Sequence, residues 1–311
     1  MSAASERVLA ALGPGALYAV LDGARDRGVR AVAQGQLARC LYRGPMPRAL
    51  ADAAPCQVRL LPRHECTERY FKLGWRQSWG IVLAHTGTAS TLYRHLRRFL
   101  RVRADDGRIL AFRYYDPRVL RIYLPTCTPG ELQRLFGPIS AIAIEADEPG
   151  FFHLFRRSAE GGFEQLRFDM GMTPPTLVRS WPQTLPEKPR HLLHRIRDRQ
   201  LRALQERADE EYVAQTTKLL RRQYRRELGS YSDRALSDRC RDALARASRY
   251  GLVGDDVLSF VVMTFTLSPR FDAEPAFRSV FNDPSISGRR KLAALYERVP
   301  PERWAAARTV P

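Results

Sequence analysis

Two periodicities run along this chain, and the change from one to the other divides it. In the first half, short apolar runs of strand length alternate with helical spacing. Residues 16–21 (ALYAVL) form a compact apolar run stopped by Asp22-Gly23, a turn pair. Residues 57–61 and 79–84 (WGIVLA) look like further buried strands. Between 88 and 101, Leu92, Leu96, Phe99 and Leu100 recur at helical spacing with arginines on the other side. Asp106-Gly107 then turns the chain into an expected strand over 109–115. Thr128-Pro129 opens a short helix, because threonine caps and proline fits the first helical position, and Gly137-Pro138 closes it. A strand over 139–144 follows, then a hairpin of 151–157 and 163–169 around Glu160-Gly161-Gly162.

Residues 171–190 (GMTPPTLVRSWPQTLPEKPR) contain five prolines, which exclude a regular helix and predict an irregular connector. Beyond it the spacing is helical: a long charged segment from about 190 to 228, a helix capped at Ser232 or Asp233 and stopped at Gly251, an apolar helix over 255–267, and another over 287–299. The expectation is an α/β lobe with a mixed sheet and flanking helices over 1–170, a proline-rich hinge over 171–190, and an all-α lobe over 191–311.

Composition changes this picture little. The chain has 311 residues and a formal charge of +18, which favours nucleic acid, anionic membrane or an acidic protein as partner. Arginine far outnumbers lysine, however, and alanine is abundant, as the coding bias of a GC-rich genome would also give. The five cysteines are scattered and contain no CxxC pair, so reduced thiols in a cytoplasm are the simplest account. The N-terminal residues lack a signal-peptide layout. The longest apolar run, 258–267, is half of the roughly 20 residues a spanning helix needs.

No GxSxG, HExxH, P-loop or GxGxxG motif is present, and no cofactor is implied. His191 and His194 lie three apart on an expected helix, a spacing that alone is weak evidence of a metal site. The most distinctive polar cluster is Tyr114-Tyr115-Asp116-Pro117-Arg118, within FRYYDPRVL at 112–120. Asp116 before Pro117 reads as an N-cap with proline at the first helical position, its carboxylate accepting from the amide of Arg118 or Val119. Arg113 and Arg118 are placed to pair with Asp116 or with another carboxylate. Capping and pairing explain the stretch without a substrate. The arginines of 94–103 and 218–226 could track phosphates, but acidic residues interleave through the helical half and no nucleic-acid motif accompanies them.

Several stretches together resemble one family: LYAVLDGA (17–24), WGIVL (79–83), LYRHLRRFLRV (92–102), DGRILAFRYYDPRVL (106–120) and ELQRLFGPI (131–139), with RASRYGL (246–252) and FNDPSISGRRKLAALYERV (281–299) in the helical part. They are similar to the effector-adaptor chaperones of bacterial type VI secretion, the Tap/TEC family, whose domain was formerly of unknown function. The resemblance is clearest over 16–145 and implies a non-catalytic, cytoplasmic protein that binds a toxic effector and helps mount it on the VgrG spike. Arg113, Tyr114, Tyr115 and Arg118 are then candidate anchors for the partner. So are Phe152 and Phe155, because only one face of a two-stranded ribbon can turn into a core. Helices covering both faces of that ribbon would remove them from the surface. A nucleic-acid-binding protein is the alternative function.

Overall fold

The computed structural model describes residues 3–34, 38–171, 173–184, 193–224, 228 and 231–308. The strands are β1 (Ala16–Asp22), β2 (Arg39–Cys40), β3 (Pro55–Leu60), β4 (Gly80–His85), β5 (Arg101–Ala104), β6 (Ile109–Ala111), β7 (Ile139–Glu145), β8 (Phe151–Arg157), β9 (Phe163–Asp169), β10 (Thr176–Trp181) and β11 (His194–Ile196). The helices of the same region are α1 (Ala3–Ala11), α2 (Arg27–Gln34), α3 (Arg48–Ala53), α4 (Glu65–Arg69), α5 (Ala89–Arg97), α6 (Pro117–Thr126) and α7 (Pro129–Phe136). The α-helical remainder is α8 (Asp198–Gln223), α9 (Asp233–Arg249), α10 (Asp255–Thr266), α11 (Pro275–Phe281), α12 (Lys291–Arg298) and α13 (Pro301–Ala306). The α/β-then-α plan expected from the sequence is the observed one.

The chain divides into two compact units, Met1–Leu204 and Gln205–Pro311. In the first, eight strands form one sheet in the order β10-β9-β8-β7-β4-β1-β3-β2, and every neighbouring pair is antiparallel. The mixed character expected of the sheet belongs instead to a small three-stranded sheet, β11-β5-β6, where β11 runs parallel to β5. Alternation along the central strands feeds two cores. Tyr18, Val20, Ile81, Leu83, Ile142 and Ile144 enter one, with α5, α6 and α7. Ala19, Leu21, Val82, Ala84, Ala141 and Ala143 enter the other, with α1, α2 and the segment 66–79. Burial on both faces explains why WGIVLA is apolar at every position. Gly80 has a packing reason to be glycine: a Cβ there would lie 2.1 Å from the Val20 carbonyl oxygen on β1.

Three expectations need correction. The strand expected over 109–115 stops at Ala111, because Tyr114 and Tyr115 turn the chain toward the cap of α6. The helix expected over 88–101 ends at Arg97, and Arg101–Ala104 alternates out and in as β5. The proline-rich stretch is no bare hinge: Thr176–Trp181 pairs with β9 as the edge strand of the main sheet, with a register shift between Leu177 and Arg179. Its residues 185–190, and His191, lie outside the described residues. The division of the chain falls within α8, because β11 and the start of α8 are tied to α6 and α7. Arg197 Nη2 reaches Glu131 at 2.7 Å and the Thr126 carbonyl at 2.8 Å, and Gln200 Nε2 reaches Glu131 at 3.4 Å.

The second unit has its own core, in which Phe260, Phe271, Phe277 and Phe281 are buried. Ser232 caps α9 through the amide of Ala235, as its sequence position suggests. No described helix is long and apolar enough to cross a membrane.

Candidate functional site

The stretch FRYYDPRVL sits at one end of the main sheet, where β1, β4 and β7 present their termini. Leu21 of β1 pairs with Gly80 at the start of β4, and β7 runs antiparallel to β4 so that Glu145 ends at the same level. The N-terminus of α6 meets this edge. Asp116 is its N-cap, with Pro117 at the first helical position. The Asp116 carboxylate accepts from the backbone amide of Arg118 at 3.0 Å, as the sequence predicts, and also grips the Arg118 side chain in two places, from Nε at 3.0 Å and from Nη2 at 2.7 Å. A bidentate guanidinium–carboxylate pair fixes orientation as well as position.

Arg113 finds the second carboxylate that its sequence position allows for. Its Nη2 pairs with Asp22, the last residue of β1, and lies 3.8 Å from Asp116. Asp22 is buried; its amide donates to the Trp79 carbonyl at 2.7 Å, and its other carboxylate oxygen accepts from Ala24 at 3.1 Å. One turn further along α6, Arg121 donates to the Glu145 carbonyl at 2.7 Å and pairs with Asp147. A chain of alternating charges thus fastens the start of α6 to the ends of β1 and β7.

Glu145 stands apart in this corner. Burial raises its carboxyl from an ordinary 4.5 to about 7, against the hydrogen bonds from Ser78 and the charge of Arg121, while Asp116 adds to the rise. Tyr70 also lies within its field, and burial with the Glu145 charge pushes that phenol up. Ser78 holds a left-handed backbone, with φ 56°. A carboxyl whose folded value lies above its unfolded one stabilises the fold fully below about pH 4.5. That contribution is lost as pH rises from 4.5 through about 7. Glu145→Gln is therefore expected to raise stability at pH 8 by about 2 kcal/mol and to change little at pH 4. Each tenfold change in proton affinity is worth about 1.4 kcal/mol, of which the neutral amide recovers the larger part. Urea melts at the two pH values measure this; an equal effect at both would contradict it.

The rings expected to anchor a partner are elsewhere. Tyr114 and Tyr115 are each 4% exposed, Phe155 1% and Phe152 0%. Tyr114 packs edge-on against Phe99 and Tyr115. Phe155 points into the same core, whereas Phe152 enters the opposite one and stacks on Phe168 at 4.8 Å. Both faces of the β8–β9 ribbon are covered, so none of the four rings can be a surface anchor. Of the proposed anchors, only Arg113 is open to solvent, with a side chain 46% exposed; Arg118 is at 24%.

The other groups with chemical potential are tied to the fold. The His64 side chain accepts from the Cys66 amide at 3.2 Å and caps α4. His85 lies between the carbonyls of Pro138 and Thr88, at 2.8 and 3.1 Å. His95 Nε2 bonds the Leu135 carbonyl at 2.7 Å, and burial lowers its pKa. His194 lies on β11, not on the expected helix, 2.6 Å from the Tyr123 hydroxyl, with its pKa lowered to about 4 by burial and Arg134. All five cysteines are free; burial pushes the Cys56 thiol up to about 12 and raises those of Cys127 and Cys240 as well. Among the described residues no group of three histidine, cysteine, aspartate or glutamate side chains could hold a metal ion.

Sequence reasoning identifies Asp116, Pro117, Arg113 and Arg118 but misses Asp22, Ser78, Arg121 and Glu145. A signal exists for two of them: Asp22 and Glu145 each close an otherwise apolar strand, in ALYAVLD and ISAIAIE. A charge continuing a buried strand must find a partner.

Residues 17–134 match the sequence model of a domain of unknown function, DUF4123. The match covers less than half of the chain, from β1 to within α7, and includes Asp22, Arg113, Asp116 and Arg118. No curated protein and no solved structure matches the chain.

Proposed function

We propose that this chain is a non-catalytic adaptor chaperone that binds a type VI secretion effector toxin in the cytoplasm and helps load it onto the VgrG spike. The observation that carries the reading is the DUF4123 match over 17–134. It falls on the region where the motif series resembling the effector adaptors is densest, with DGRILAFRYYDPRVL inside it. The use of that stretch favours an adaptor over an enzyme. Asp116 caps α6 and holds Arg118, while Arg113 is paired with Asp22, so these polar residues have a structural use that needs no substrate.

Nucleic-acid binding has less support. In the helical unit, Arg221, Arg241 and Arg246 each pair with an aspartate. Part of the basic stretch 218–226 lies outside the described residues.

Deletion of the gene in its native host tests the proposal. Secretion of a toxin encoded beside it is expected to fall to background while the VgrG spike is still released. Undiminished toxin secretion would overturn the reading.

A further inference from the structure

The sheet edges of the first unit differ in how they are protected. β10, at one edge of the main sheet, exposes Leu177 and Val178. It is nevertheless bounded by Pro174, Pro175 and Pro182 and broken by a register shift, the devices that keep an edge from pairing. β6, at the edge of the small sheet, has none of these.

The pairing of β5 with β6 fixes which backbone groups of β6 are open. Val102 lies opposite Leu110, the Ala104 amide donates to the Arg108 carbonyl at 2.9 Å, and the Phe112 amide donates to the Leu100 carbonyl at 3.0 Å. The Arg108 carbonyl, the backbone groups of Leu110 and the Phe112 amide are therefore directed at β5, while the Arg108 amide donates to the Asp106 side chain. In an antiparallel ladder the intervening residues, Ile109 and Ala111, direct theirs away. Among the described residues no other strand pairs with that side. Ile109 is 52% exposed.

The same alternation builds a basic face beside this edge. Val102, Ala104 and Ile196 are buried in the core, which leaves Arg101, Arg103 and Arg195 on the outer side together with Ile109 and Ala111. Arg101 lies across from Ala111, Arg103 across from Ile109, and Arg195 beside Arg103. The nearby carboxylates are already committed. Asp105 accepts from Arg195 at 2.6 Å and from the Asp198 amide at 3.0 Å, while Asp106 accepts from Arg108. Arg101 and Arg103 are left without a carboxylate partner among the described residues; Arg103 has a contact with the Gly107 carbonyl at 3.4 Å.

We infer that the free edge of β6 receives an extended acidic segment of a partner protein as a fourth strand. The backbone groups of Ile109 and Ala111 supply the pairing, which depends little on sequence. Selectivity comes from Arg101 and Arg103. Neighbouring strands lie about 4.8 Å apart, so a carboxylate on the added strand sits two strands from these arginines. The long arginine stem can cross that gap, most easily over the small side chain of Ala111. An alternating segment would place its acidic residues toward the arginines and its other residues on the opposite side. This assignment rests on the adaptor reading and adds to it the binding edge and the chemistry of the bound segment.

Hydrogen exchange on the full chain tests it, with and without the purified proteins encoded beside its gene. Once one of those proteins is bound, the amides of Ile109 and Ala111 are expected to exchange at least about tenfold more slowly. Ile109→Pro removes an N–H that faces away from β5, as proline on an edge strand can. It and the double variant R101E/R103E are each expected to weaken the complex at least about tenfold. If a complex forms, yet both amides exchange freely and both variants bind like the wild type, this inference is overturned and the adaptor reading stands. If no neighbouring protein binds, the adaptor reading itself fails. Protection of the two amides by mixed DNA or RNA instead would also overturn the inference, in favour of a polyanion site.

Discussion

Replacing Arg246 by alanine is expected to destabilise the helical unit by about 4 kcal/mol, the cost of breaking a buried ion pair by removing one partner. Arg246 and Asp272 have side chains only 4% and 3% exposed and are paired directly. The same guanidinium bonds Asp242 at 3.1 Å and the Pro269 carbonyl at 2.7 Å, and lies 5.4 Å from the centre of the Phe260 ring. It therefore joins α9 to the segment 269–272 that follows α10. Among the described residues the alanine variant leaves the Asp272 carboxylate with the Tyr250 hydroxyl alone, 2.8 Å away, and opens a space against Phe260. A buried pair replaced on both sides by apolar groups of similar volume loses far less. The double variant Arg246→Met/Asp272→Leu is accordingly expected to recover more than half of the lost stability. Urea melts of the three proteins check both statements, and a single variant as stable as the wild type would refute the role given to Arg246.

Asp116→Ala is the second large expected loss, about 3 kcal/mol. Roughly 1 kcal/mol is the cap, and the rest comes from leaving Arg118 without the carboxylate that grips it, while Arg113 keeps its pair with Asp22. The sequence alone suggests that Asp116→Asn should be mild, since asparagine caps well. The structure changes that expectation, because asparagine keeps the bond to the Arg118 amide but loses the bidentate grip on the Arg118 side chain. The asparagine variant should therefore fall between the wild type and the alanine variant, losing about 1.5 kcal/mol. Thermal melts of both would decide. A loss of the effect of both variants at high salt would show that the corner is held by screened surface charge, contrary to the burial of Asp116.

The elements legible in the sequence are those with a local signal. The Thr128-Pro129 start of α7 is a complete capping box with Glu131, and the Gly137 end has a left-handed φ of 48°. The Asp116 cap is legible for the same reason: every partner in it lies within two residues. What local patterns do not supply is the partner chosen at long range. Arg113 pairs with Asp22, ninety-one positions earlier, and only the sheet brings them together. β10 is hidden by its flanking prolines, and its pairing with β9 overrides their signal. β11 merges into an expected helix because three residues are too few to show an alternation. The aromatic residues of β8 mislead in the other direction. Phe152 and Phe155 alternate as surface and core positions would, but helices cover both faces of this sheet.

The central claim is a proposal with physical content at the corner built from FRYYDPRVL: that its distinctive polar residues hold a surface for a partner, with no reaction asked of them. Mixing the purified chain with the toxin encoded beside its gene, followed by size-exclusion chromatography and intact-mass measurement of both proteins, tests this most directly. The expected result is a co-eluting complex in which both masses are unchanged. Separate elution, or a toxin whose mass has been altered by the chain, would contradict it.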